Sequence, residues 1–328
     1  MPKFLLTTAS ILMAAVTITA MCMQHGIAQG ARARFRAAAG VGDHAAIRSG
    51  SVNGGSVNGG SVKDGSVNDG SIRVEQEISY GSGLLNKLDI YAPTNRGTGL
   101  PLLMFVHGGG WQRGDKHPYG SKSGVFNDNG IIYVNVNYGL APSVMHPQQI
   151  RDIAAAFAWC HNHAAEYGGD PRRIYLMGHS AGAQLVDLLG TNDKYVTERG
   201  LGLKDIRGVI SLDGASLNLL HKTDGHAPED RFVGPMIKSA FGTDTASLTD
   251  GSPSLNIHNG KQYPPFLMFC GERRTACVAE HQNFANLMKQ AGGKAVVRPV
   301  PLSHSEINAA SSQPESSVCQ EIMAFVKK

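Results

Sequence analysis

From residue 87 onward the chain alternates short runs of apolar and β-branched residues with stretches whose apolar positions recur at helical spacing. Leu102 to Val106 and Ile131 to Val136 are continuous apolar runs, the pattern of strands covered on both faces. Lys87 to Ala92 alternates polar and apolar residues and stops at Pro93, which predicts a half-exposed strand near a sheet edge. Between Pro147 and Tyr167, Ile150, Ile153, Ala154, Phe157 and Ala158 mark one helical face, and Gly168 and Gly169 end it. Further strands are predicted at Ile174 to Met177, Val209 to Leu212, Phe266 to Phe269 and Ala295 to Val300. Helices follow Ser180, span Ala276 to Gln290, and close the chain with Val318, Ile322 and Phe325 on one face. This alternation implies an α/β architecture, a mostly parallel central sheet flanked by helices on both faces, which binds ligands at the carboxyl ends of its strands.

The pattern breaks before residue 72. Lys3 precedes an apolar stretch from Phe4 to Met23 that ends in Gly26-Ile27-Ala28, which reads as a signal peptide over residues 1–28 and predicts export to the periplasm or medium. A retained membrane anchor competes with this reading, because the apolar run approaches spanning length. Cys22 suggests lipoprotein processing, for which Met21 is a poor neighbour. Residues 29–50 are rich in Ala, Arg and Gly, and Ser51-Val52-Asn53-Gly54-Gly55 then recurs at Ser56 and, with changes, at Ser61 and Ser66. Units this polar bury too little to offset their ordering entropy, so residues 29–71 are expected to be a flexible linker. A short β-solenoid would need more repeats. Residues 72–328 remain as the folded domain.

Composition narrows the partners. With 42% hydrophobic and 17% charged residues the chain is globular, and a formal charge of +4 with scattered basic residues gives no warrant for a nucleic-acid partner. No stable membrane span is expected once the signal is removed, and oligomeric state is not readable. Cys160, Cys270, Cys277 and Cys319 could pair in an exported protein, but their spacing fixes no connectivity.

The candidate chemistry centres on Gly178-His179-Ser180-Ala181-Gly182, set between an apolar strand and an amphipathic helix. Strand, Gly-x-Ser-x-Gly, helix is the nucleophile-elbow arrangement, in which glycines admit a turn too tight for Cβ atoms. A serine hydroxyl needs a base, and the base an orienting carboxylate. His304, after the last predicted strand, is the candidate base; a plain loop histidine is the alternative. His107-Gly108-Gly109-Gly110-Trp111 follows a strand, so Gly109, Gly110 and Ala181 are the candidate oxyanion donors, with Trp111 as a possible pocket wall. His161 and His163 are two apart on a helix and point to different faces, a poor metal pair. No metal or cofactor is expected.

These motifs, with Asn137-Tyr138-Gly139-Leu140-Ala141-Pro142 and Tyr167-Gly168-Gly169-Asp170-Pro171, make residues from about 85 to 328 resemble an α/β-hydrolase of the hormone-sensitive-lipase-like and feruloyl-esterase-like branch. The resemblance implies a metal-independent serine carboxylesterase working through an acyl-enzyme, and a structural role for Asp152. One segment departs from the family pattern. Where related enzymes carry the acid in a Gly-Glu-x-Asp-like segment, this chain reads Gly271-Glu272-Arg273-Arg274-Thr275. A guanidinium cannot accept the imidazole N–H and opposes the imidazolium formed in catalysis. Asp213, at the end of the preceding strand, and Glu272, with its longer reach, are the two candidate replacements, Asp213 first; a turn or cap role is the alternative for Asp213. Two competing functions remain: an arylformamidase, because the His-Gly-Gly-x-Trp segment is similar to that group's oxyanion segment, and a binding protein that kept the fold and lost its chemistry, from Arg274. Leu217 to Pro264 is expected to pass over the pocket, and a small-molecule ester, with xylan-linked acetyl or feruloyl esters as family analogies, is the expected substrate.

Overall fold

The computed structural model describes residues 67–68, 71–214, 216–222 and 230–328. The expected signal peptide, Cys22 and most of the repeat segment lie outside these residues. Among the described residues nine strands form one sheet: β1 (Val67–Asn68), β2 (Ile72–Ser79), β3 (Lys87–Pro93), β4 (Leu100–Val106), β5 (Ile132–Val136), β6 (Gly169–His179), β7 (Gly208–Leu212), β8 (Phe266–Gly271) and β9 (Ala295–Val300). Their order is β1-β2-β3-β5-β4-β6-β7-β8-β9. The pairs from β1 to β3, and β3 with β5, are antiparallel, and every pair from β5 to β9 is parallel. The last repeat unit, from Ser66, thus supplies a two-residue edge strand within the expected linker, Val67 standing opposite Val74.

Alternation along the strands divides the core in two. Leu102, Met104, Val106, Leu176 and Met268 face one side, where helices α1 (Gln148–His163) and α2 (Ala181–Thr191) cover them with Ile150, Phe157, Leu185 and Leu189. Leu103, Phe105, Met177, Ile210 and Phe269 face the other, under Ile307, Val318 and Ile322. Those three residues belong to α5 (His304–Ala310) and α6 (Ser317–Val326). Two helices between these sets, α3 (Asp230–Phe241) and α4 (Thr275–Gln290), complete the elements used below. Each fully buried Leu or Phe contributes about 1.5–3 kcal/mol by leaving water, so the two faces together fix the sheet between its helices.

One expectation is corrected and one open point is answered. Strand β3 does lie near the sheet edge, with only β2 and the two-residue β1 outside it, but it is not half-exposed, because most of its residues are buried. Its polar Asp89 is fully buried and ion-paired at 2.9 Å with Lys116, itself buried and also paired with Glu77. The polar position that suggested solvent is a buried charge pair contributed by a distant loop. The four cysteines form no disulfide; all are buried free thiols.

Candidate active site

Strand register brings the motifs together. Val106 pairs with Gly178, Gly178 with Ser211 and Ser211 with Met268, so β4, β6, β7 and β8 end in one row. The Gly-rich loop, Ser180, Asp213 and Arg274 all lie just beyond that row. Val300, opposite Gly271, leads into His304.

Ser180 sits at φ 57° and ψ −119°, a conformation that L-residues adopt only under constraint. Its N–H donates to the Leu212 carbonyl at 3.1 Å, tying the turn to β7. The elbow glycines are sterically required: a Cβ on Gly178 would enter the Gly182 carbonyl, and one on Gly182 the Val106 carbonyl. Ala181 opens α2, so its N–H has no acceptor within the helix and stands at the positive end of the helix dipole. Across from it the loop after β4 is folded on glycine, with Gly109 at φ 122° and Gly110 at φ 62°. A Cβ at Gly108 would stand 3.0 Å from that of Ser180, which shows how closely the loop approaches this serine.

His304 is the first residue of α5, held by a capping box in which Ser303 Oγ accepts from the Glu306 N–H and the Glu306 carboxylate accepts from the Ser303 N–H at 2.7 Å. At the other end of that helix buried Lys122 donates to the Asn308 carbonyl and to Ser311 Oγ at 2.7 Å. Burial pushes the Lys122 ammonium down to about 8. The His304 ring donates from Nδ1 to Asp213 Oδ2 at 2.6 Å, which leaves Nε2 as the nitrogen able to take a proton.

Asp213 is fully buried at φ 50°. Its other oxygen accepts the Gly271 N–H at 3.0 Å and faces the Cys277 thiol at 3.6 Å. Arg274 Nη1 donates to the same Oδ2 that holds the imidazole and lies 3.3 Å from Nδ1, a donor facing a donor. Burial raises the Asp213 pKa, but the His304 hydrogen bond, the Arg274 charge and the Gly271 N–H outweigh it and hold the carboxyl below the usual range. Glu272, the other candidate acid, is exposed; the oxygen on the imidazole belongs to Asp213.

Ser180, Ala181, His304, Arg274, the glycines 108–110 and Trp111 line one cavity of about 660 Å³. Val233 and Met236 of α3 also face it, so part of the Leu217 to Pro264 stretch does border the pocket. Trp111 is 2% exposed, donates its indole N–H to Gln184 at 3.0 Å and packs edge-on against Phe241, so most of it is core. Asp152 accepts the Gly139 N–H at 2.9 Å, a structural bond. His163 stacks on Trp159 and bonds Glu166, and among the described residues no cluster of metal-ligating side chains occurs.

One residue beside the site carried a signal that went unread. His179, the variable position of the elbow, packs with its ring centroid 4.5 Å from that of His304 and donates from Nε2 to the His304 carbonyl at 2.9 Å. Burial and the neighbouring His304 push it down to about 4, so it is neutral and serves as a wall for the His304 ring. Its place inside the motif, next to the serine, could have flagged it.

Residues 88–285, more than half of the chain, match the BD-FAE family model. The chain is 31% identical over 238 residues to a probable isoprenylcysteine alpha-carbonyl methylesterase of Arabidopsis thaliana, covering 68% of this chain and 49% of that protein. It is 28% identical over 262 residues to Esterase LipQ of Mycobacterium tuberculosis, covering 76% and 61%. The chain therefore spans about half to three fifths of the length of these two relatives. Among solved structures it resembles Esterase B of Lactobacillus rhamnosus (TM-score 0.65, 19% identity, 79% of this chain and 87% of that one). It also resembles an esterase of Pyrobaculum calidifontis (TM-score 0.63, 23% identity, 78% and 85%). At these identities the structures establish the fold, an α/β-hydrolase.

Proposed function

This chain belongs to the BD-FAE family, and we propose that it is a serine hydrolase of carboxylic esters, with Ser180 as nucleophile, His304 as base and Asp213 as the acid. In this reading Ser180 Oγ attacks the ester carbonyl while His304 Nε2 takes its proton. The tetrahedral oxyanion is held by the N–H groups of Ala181, Gly109 and Gly110. The imidazolium returns the proton to the leaving alcohol, and water then resolves the acyl-enzyme by the same relay. Asp213, held ionised by its neighbours, keeps the imidazole in the working tautomer. Arg274 weakens that support, since its guanidinium shares Oδ2 and repels the imidazolium.

The observation that carries the reading is the 2.6 Å bond from His304 to a fully buried aspartate, at the rim of the cavity that the strained Ser180 also lines. The esterase names of the relatives support an ester over a formamide or a binding role. Ser180→Ala is expected to abolish turnover of a short-chain 4-nitrophenyl ester; full activity in that variant would refute the assignment. We propose export as well, on the leader-like pattern of residues 1–28. Recovery of the full-length, unprocessed chain from the cytoplasm of an expressing cell would count against it. No helix among the described residues is long and apolar enough to cross a membrane.

A further inference from the structure

We propose that the ester this site accepts carries a carboxylate, received by the guanidinium of Arg113 at the rim of the cavity; the inference rests on the esterase reading above and names its substrate class. The cavity wall is divided. Trp111, Val233 and Met236 supply the apolar side, and every ionisable group on the other is a base or a phenol: Arg113, Arg274, His179, His304 and Tyr119. Among the described residues no Asp or Glu lines it.

The two guanidiniums differ in where their charge is directed. Arg274 is turned onto the buried carboxylate of Asp213. Arg113 is exposed and forms no ion pair with a described carboxylate. The neighbouring Asp115 is already engaged, accepting from the Asn137 amide at 2.9 Å and the His117 N–H at 2.7 Å.

Backbone geometry fixes the root of the Arg113 side chain. Its N–H donates to the Gly109 carbonyl at 3.2 Å. Gly109 and Gly114, at φ 122° and 117°, close the loop on either side. As a result Arg113 Cγ passes against Gly109, 3.2 Å from where a Cβ would stand. The charge is thus launched from beside the candidate oxyanion glycines. A concave site lined by one sign of charge raises the local concentration of the opposite ion. The guanidinium fork matches a carboxylate through two parallel hydrogen bonds, and one such cation balances a single negative charge better than a phosphate dianion.

The test compares kcat/KM of the full chain for matched charged and neutral esters. 4-Nitrophenyl hemisuccinate against 4-nitrophenyl butyrate places the carboxylate on the acyl side, and 4-acetoxybenzoate against 4-methylphenyl acetate places it on the alcohol side. The charged-to-neutral ratio of one pair should fall on the order of three- to tenfold in Arg113→Gln and further in Arg113→Glu, and the wild-type preference should shrink at about 0.5 M salt. Ratios unchanged within about twofold in both variants and both pairs would overturn the inference while leaving the esterase intact. Turnover of none of the four esters would instead remove the esterase reading, and this one with it.

Discussion

Two aspartates flank the same strand end, and the structure treats them oppositely. Asp187, on α2, and Asp213, just past β7, are both fully buried. Asp187 has a single polar partner for its carboxyl, the Ser211 hydroxyl at 2.8 Å, and its second oxygen has none. Burial therefore pushes it up to about 8, and it is a neutral acid at pH 7. Asp213 is buried as deeply but gathers an imidazole, a guanidinium and a backbone N–H, and stays ionised. Partners, and not depth, decide which buried carboxyl can support an imidazolium.

The sharpest way to break this contrast is to neutralise each aspartate without changing its shape. Asp213→Asn should lower kcat for a nitrophenyl ester by about 10³- to 10⁴-fold, because an amide presents the wrong partner to Nδ1. Asp187→Asn replaces one neutral polar group by another and should leave kcat within about threefold, as expected for a group without contact to the reacting atoms.

Next comes the guanidinium. Arg274→Gln removes the charge that shares Oδ2 and faces Nδ1, so the imidazolium gains support. Its kcat/KM for a nitrophenyl ester should therefore rise, on the order of two- to fivefold. A kcat/KM that falls or stays unchanged would contradict an opposing role for Arg274.

Stability against pH separates the aspartates again. The folded pKa of Asp187 lies above its unfolded value of 3.8, so its contribution is complete below pH 3.8. It is lost as pH rises toward about 8, since the unfolded chain releases a proton that the folded chain keeps. Asp213 has the opposite sign, stabilising above pH 3.8 and losing that contribution as pH falls. Denaturant titrations should show the decline between pH 4 and 8 flattened in Asp187→Asn and the acid-side loss reduced in Asp213→Asn. The smallest effect is expected from Glu272→Gln, an exposed site whose kcat should stay within about twofold of wild type.

The same pair explains how much of the site was legible. In the sequence each aspartate is the one charged letter in a largely apolar run, Leu185-Val186-Asp187-Leu188-Leu189 and Val209-Ile210-Ser211-Leu212-Asp213. Asp213 could be singled out by its place at a strand end, while nothing local marked Asp187. The elbow was readable because its constraint is steric and confined to five residues. The acid corner joins residues 61 and 91 apart, Arg274 and His304 on Asp213, so only register brings them together. Asp89 misled for a related reason, since its partner Lys116 comes from a separate loop. Most of the strands, by contrast, were visible as apolar runs, because a sheet covered on both faces writes its burial directly into composition.

The central claim is that Ser180 is activated by His304 in one site. The direct measurement is to treat the full chain with a 4-nitrophenyl alkylphosphonate and locate the adduct by mass spectrometry. One stoichiometric adduct on Ser180, absent from Ser180→Ala and much slower in His304→Ala, is the predicted result. No adduct on Ser180 in a folded chain, or labelling of Ser180 that His304→Ala leaves at full rate, would contradict it.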